Sequence, residues 1–239
     1  MYGHDCREVL AAMADESVDM IWTDPPYGHS NHDGDWNARL NEHRGIEGRP
    51  IANDDAQGMR EVVDAMLREA ARVLKHDCCC CCCCCCGGGG PKPTFAWLAQ
   101  RMDTAGLSFF HSVIWDKVNP GLGWRYRRQH EMVMVAHRSG GRLSWNEEHP
   151  AQPNIIACSK PRGGVHPNEK PVELVQRFVV AHAAPDALVM DPFAGSGTTG
   201  VACIRSGRRF VGCEIDPKFF NEAVARMEVE LRQSVFSFA

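Results

Sequence analysis

The amino-acid sequence predicts an α/β protein, a mostly parallel twisted sheet with helices on both faces, and three observations predict it. Short apolar runs end in acids, prolines or glycines, as buried strands do where they meet a loop. Amphipathic stretches of helical length separate these runs. The last third reads strand, glycine turn, helix, strand, acid, helix, which is a βαβ unit with a further helix behind it.

Asp5 opens a short helical stretch over residues 5–14, and "SVDMIWTD" is the strand that follows. Met20, Ile21 and Trp22 supply the apolar run of a central strand, and Pro25 and Pro26 stop it, because proline cannot donate to a sheet ladder. Ligands in open α/β sheets bind beyond the carboxyl ends of strands, so Asp24 and Tyr27 are expected on a stiff loop beside a substrate. Residues 28–55 are polar and aperiodic, a long loop or flap. A helix is predicted over about 57–75, and a strand through Cys78–Cys86, since an α/β chain returns through a strand after a helix. "TFAWLAQRMDTAG" is a helix stopped by Gly106. "SFFHSVIWDK" and "HEMVMVAHR" are strands flanking "VNPGLGWRYRRQ", and residues 139–168 read as polar and turn-rich. A helix is expected over about 171–183, with Pro171 in its first turn.

In the last third, "ALVM" is a strand, "GSGTTG" the turn into "GVACIRS", and "RFVGCEI" the second strand. Glu214 lies about twenty residues past the turn, where an acid accepts hydrogen bonds from ribose hydroxyls. A P-loop is excluded: Gly197 is followed by Thr198 and Thr199, with no lysine to neutralise phosphates. The turn suits a ligand with an adenosine end and little phosphate charge.

The 239 residues are 44% hydrophobic and 23% charged, enough for a single domain over 1–239. No apolar run approaches the roughly 20 residues that span a bilayer, and "MYGHDCREVL" lacks the segments of a secretory signal, so a cytoplasmic protein with no membrane partner is expected. The net charge of -4 does not mark a nucleic-acid binder, although basic residues concentrated on one face act locally. Of 13 cysteines, nine are consecutive, Cys78 to Cys86, and run into Gly87–Gly90. Neighbours in an unbroken run point in different directions, so neither a disulfide framework nor a metal site is expected there. Nine thiols in one strand would fill a core poorly.

"DPPY" (Asp24, Pro25, Pro26, Tyr27), "DPFAGSGTT" (Asp191 to Thr199) and "HPNEKP" (His166 to Pro171), with the catalytic motif first, resemble the circularly permuted β group of the amino-methylating DNA methyltransferases. That family uses S-adenosylmethionine (SAM) to methylate the exocyclic nitrogen of adenine or cytosine. The resemblance covers nearly the whole chain and implies a Rossmann-like methyltransferase fold. It implies that Asp24, Pro25, Pro26 and Tyr27 are catalytic, and that Asp191, Phe193, Gly195, Ser196, Gly197, Thr198 and Thr199 form the cofactor turn. Glu214, with Asp216 beside it, would hold the ribose. Asp5 and Cys6, at the end of a further strand, would flank the adenine, and Lys170 and Pro171 would border the methionine end, with Asp24 against it. Asp5 also suits a helix cap, and Lys170 a solvated charge.

An exocyclic amine is a poor nucleophile because its lone pair is delocalised into the ring. Asp24 and the Pro25 carbonyl could accept its hydrogens, and Tyr27 could stack on a base that has left the duplex; no metal is required. "DPPY" in place of "SPPY" leans toward adenine. Trp124, Arg125, Tyr126, Arg127 and Arg128 mix phosphate-pairing cations with stacking faces, although a solvated basic edge has the same composition. Residues 28–55 and 139–165 are the candidate target-recognition loops. The implied partner is double-stranded DNA, and a homodimer and a cognate restriction endonuclease are compatible with the resemblance. The alternatives are an N4-cytosine methyltransferase and a catalytically inactive adenosyl-ligand or nucleic-acid-binding protein.

Overall fold

The computed structural model describes residues 1–27, 52–53, 55–84, 95–121, 127–161 and 169–236. The elements are α1 (Cys6–Ala12), β1 (Val18–Thr23), α2 (Ala56–Val73), β2 (Leu74–Cys84), α3 (Phe95–Ala105), β3 (Leu107–Asp116), β4 (His130–Arg138), β5 (Ile155–Ala157), α4 (Val172–His182), β6 (Leu188–Asp191), α5 (Thr198–Arg205), β7 (Arg209–Gly212) and α6 (Pro217–Phe236). The strands form one sheet in the order β5-β3-β4-β2-β1-β6-β7. Only β4 runs against its neighbours, so the sheet is the mostly parallel, Rossmann-like one expected.

The centre of the sheet is apolar on both faces. Met20 and Trp22 of β1 enter the layer under α4, while Ile21 enters the layer under α2. Helix α2 forms because Asp55 caps it, accepting from the amides of Gln57 (3.0 Å) and Gly58 (2.9 Å). Its buried Met59, Val62, Val63, Met66, Leu67 and Ala70 recur at helical spacing on one face. On the other layer Leu174, Val175, Phe178 and Val179 of α4 do the same, and α5 packs beside them. Full burial of each such side chain contributes roughly 1.5–3 kcal/mol, so the two helical layers hold the sheet by their apolar stripes.

Cys78 to Cys84 lie in β2, the expected strand, whose alternation divides the thiols between layers, and Cys85 and Cys86 lie outside the described residues. Cys80 and Cys82 pack toward α2 and α3, and Cys79, Cys81 and Cys83 toward α4. Burial pushes the thiols up, Cys78 to about 11, which keeps thiolate scarce in the folded chain. Adjacent cysteines diverge, but alternate ones share a face, and Cys79, Cys81 and His182 bring ligand atoms within 4.8 Å of one another. This cluster is buried in the apolar core.

Two expectations change. The region read as turns contains β5, a three-residue edge strand parallel to β3, in which Ile156 alone is buried; three residues are too few to show a period. Asp5 does not end a strand. Tyr2 makes one isolated parallel bridge to Cys213, and Asp5 caps α1 by accepting from the Arg7 amide at 2.9 Å. No helix among the described residues is long and apolar enough to cross a membrane.

Candidate active site

The chain leaves β1 for β2 on one side and leaves β6 for β7 on the other. Crossovers that depart in opposite directions open a crevice at the carboxyl ends of β1 and β6, the usual place for a ligand in such sheets. A cleft of about 1010 Å³, counting the solvent at its mouth, lies there. Trp22, Asp24, Pro25, Pro26 and Tyr27 line it from β1, and Asp191, Phe193, Gly195, Ser196, Thr198, Thr199 and Glu214 from the βαβ unit. Asp5, Cys6 and Lys170 also line it.

The floor is acidic. Asp191 ends β6, and its two carboxylate oxygens accept from the Phe193 amide (3.0 Å) and the Thr199 hydroxyl. Burial outweighs those donors and pushes its pKa up to about 7. Glu214 accepts from the Gly195 amide at 2.9 Å through one oxygen and from the Asp216 amide at 2.8 Å through the other. Burial still moves it above the usual carboxylate range. These amides orient the carboxylate without filling its roughly four acceptor positions, so it can accept from a ligand.

The second half of the cleft is a buried charge cluster. Lys170, 6% exposed, places its ammonium 2.6 Å from Asp24 Oδ2 and 3.1 Å from Glu131 Oε2. It donates to the Tyr27 hydroxyl at 3.2 Å, and that hydroxyl donates to Asp24 Oδ1. The ammonium also lies 5.4 Å from the Tyr27 ring centre and 5.9 Å from that of Trp115, within cation–π reach. Burial pushes Asp24 up and Glu131 adds to it, while Lys170 and Tyr27 oppose. For Glu131 burial also pushes up, but Lys170 and Lys117 prevail and hold it low. Lys170 is held well above its ordinary value by the same two acids, against its burial.

Sequence reasoning missed Glu131, Lys117, Lys160, Trp115 and Arg226. Lys117 meets Glu131 at 3.3 Å, and the Trp115 indole donates to the Cys158 carbonyl at 2.7 Å. Arg226 of α6 pairs with Glu169 at 2.8 Å and donates to the Ser196 carbonyl at 3.2 Å, tying the glycine turn to the "EKP" segment. A charged residue inside the "HEMVMVAHR" strand was the one available signal for Glu131.

Three residues predicted to bind the cofactor stand outside the cleft lining. Pro171 precedes the first turn of α4. Gly197 (φ 77°) begins α5, and a Cβ there would lie 2.9 Å from that of Ala223, so its bareness serves the approach of α6. Asp216 caps α6, accepting from the Lys218 and Phe219 amides. Arg127 and Arg128 are exposed, and Arg127 donates to the carbonyls of Pro120 and Gly121. Trp124, Arg125 and Tyr126 lie outside the described residues, as do 28–51 and 54 of the first candidate loop and 162–168, which include His166.

Comparison with known proteins shows the family and the fold. A model of the DNA methylase family N6_N4_Mtase matches residues 18–225. The Type II methyltransferase M2.DpnII of Streptococcus pneumoniae is 27% identical over 256 residues, covering 95% of this chain and 88% of that protein. Among solved structures, M1.HpyAVI in complex with SAM superposes with a TM-score of 0.68 at 22% identity, over 95% of this chain and 97% of that one. The cytosine-N4-specific PvuII DNA methyltransferase also reaches 0.68, at 21% identity over 93% and 84%. At such identities the structural likeness bears on the fold. The family match runs from β1 into α6 and takes in both the Asp24 loop and the Asp191–Glu214 floor, and the chain belongs to the N6_N4_Mtase family of DNA methylases.

Proposed function

We propose that this protein is a cytoplasmic, site-specific DNA methyltransferase of the permuted β group that transfers a methyl group from SAM to the exocyclic N6 of adenine in double-stranded DNA. The observation that carries the reading is one cleft in which the Asp24 loop faces the Asp191–Glu214 floor. The donor set fits the cofactor. Carboxylates of Asp5, Asp191 and Glu214 line the cleft and favour a cation, and the turn lacks the lysine that a polyphosphate needs. When bound, SAM supplies a methyl group activated on a positively charged sulfur.

The chain's residues supply acceptors and orientation. Asp24 and the Pro25 carbonyl, which belongs to a residue with no amide hydrogen to donate, accept the hydrogens of the target amine and let its nitrogen turn toward tetrahedral geometry. Tyr27, held by Asp24 and Lys170, offers a fixed ring beside the base. The base must leave the duplex, because its amino group is otherwise paired. Positioning and electrostatics then do most of the work. Residues Trp124 to Arg128 and the loops over 28–55 and 139–165 are the proposed DNA contacts. A second reading, methylation of N4 of cytosine, stays within the N6_N4_Mtase family; both bases present the same kind of amine.

Incubation with labelled SAM and unmethylated DNA, followed by digestion to nucleosides, tests the reading. Label is expected in N6-methyladenine. Label in N4-methylcytosine would keep the mechanism and correct the base, and no label from protein that binds SAM would overturn the proposal. Glu214→Gln is expected to raise the SAM dissociation constant by about ten- to a hundredfold, the cost of one or two hydrogen bonds to a charged acceptor, with little change in kcat at saturation. Calorimetric titration reads this, and an unchanged constant would remove Glu214 from the ribose role.

A further inference from the structure

We propose that Glu131 is a positioning residue that acts through Lys170 to set the charge and the availability of the Asp24 carboxylate. The inference rests on the reading of Asp24 as acceptor for the target amine. Glu131 is the second residue of β4, paired in register with Trp115 of β3, and it stands behind Lys170 rather than in the cleft lining. One of its oxygens is 3.1 Å from Lys170 and the other 3.3 Å from Lys117. The oxygen facing Lys170 is buried and has no hydrogen bond of its own, so the ammonium is what compensates its charge. The same ammonium lies 2.6 Å from Asp24. Two carboxylates therefore share one cation.

The sharing matters because Asp24 has two needs that conflict. It must stay ionised in a buried place, which requires a nearby cation, yet an ammonium bound to it alone would occupy the acceptor that the amine must use. Glu131 draws part of the Lys170 charge backward and leaves Asp24 ionised but incompletely neutralised. The other charged and titratable groups around these three come from every neighbouring element. Tyr27 belongs to the Asp24 loop, Lys117 follows β3, Lys160 follows β5, Asp191 ends β6, and Cys83 of β2 faces Lys170. Without the Glu131 charge, Lys170 would pair with Asp24 alone. Asp24 would then remain ionised to lower pH and become a weaker acceptor.

The test is the pH dependence of kcat, with KM for SAM and DNA, in the full-length native protein, Glu131→Gln and Glu131→Asp. Glu131→Gln is expected to lower the plateau of kcat about tenfold and to move its acid limb down by about one pH unit, with KM for SAM within about twofold. Glu131→Asp keeps the charge, so its acid limb should stay at the native position with part of kcat restored. A lower plateau with an unmoved limb in Glu131→Gln would mean a packing role and overturn the proposal, as would an unchanged profile. Carbon NMR of the Asp24 carboxyl reads the same titration without turnover. A downward shift in Glu131→Gln supports the positioning role even if native protein transfers no methyl to DNA, an outcome that would sink the acceptor reading instead; no shift overturns the positioning role.

Discussion

Asp24→Ala is expected to reduce methyl transfer by at least about 10²- to 10³-fold while leaving the SAM dissociation constant within about twofold. The size follows from what removal of one preorganised, charged partner in a water-poor site costs, about 3–4 kcal/mol of transition-state stabilisation. The selectivity follows from place. Asp24 follows β1 and is bound to Lys170 and Tyr27, whereas Glu214 and Asp191 are held by the turn of the βαβ unit. Single-turnover transfer beside calorimetric SAM binding separates the two effects. Lost SAM affinity with preserved turnover would reverse the assignment of the two halves of the cleft.

Lys170→Met should produce the second large effect, in pH dependence and stability together. Burial already pushes Asp24 up, and Lys170 is the principal opposing charge. With the ammonium gone the folded-state pKa of Asp24 rises further, so the acid limb of kcat moves to higher pH and activity at neutral pH is largely lost, returning as the medium is made alkaline. The same removal leaves two carboxylates, Asp24 and Glu131, buried without their shared cation, which costs about 3–5 kcal/mol. The sign of its pH dependence is set by Asp24. Between its unfolded pKa and its raised folded value, the folded variant binds a proton that the unfolded chain does not, so stability falls as pH rises through that window. Urea unfolding at several pH values checks it; a variant within about 1 kcal/mol of native at neutral pH, with an unmoved limb, would show the cluster to be energetically idle. This shift is opposite in direction to that expected for Glu131→Gln, as it must be if one residue supplies the cation and the other draws it away.

Local chemistry made much of the fold legible. Two prolines can end β1 and nothing else, the apolar spacing of α2 admits one helical face, and a glycine turn between two short apolar runs with an acid beyond the second is a βαβ unit in outline. Even the Cys run could be placed as a strand, since what precedes it is a helix and the chain must return. Where the signal was short it failed: β5 has three residues, and Asp5 carried a strand-end reading that its cap to Arg7 replaced.

What the sequence determined by itself is therefore the set of elements, their order and the two motif loops, because each depends on neighbours within a few residues. Only the tertiary structure decided which charges meet. Tyr27 and Lys170 are 143 residues apart in the chain and hydrogen-bonded in the fold, and Glu131 reaches Lys170 from β4. The same holds for Arg226 on Glu169 and for Gly197 against Ala223. Pairings of this kind depend on which strands lie side by side. That order arises when distant apolar faces are buried together, and no local pattern encodes it.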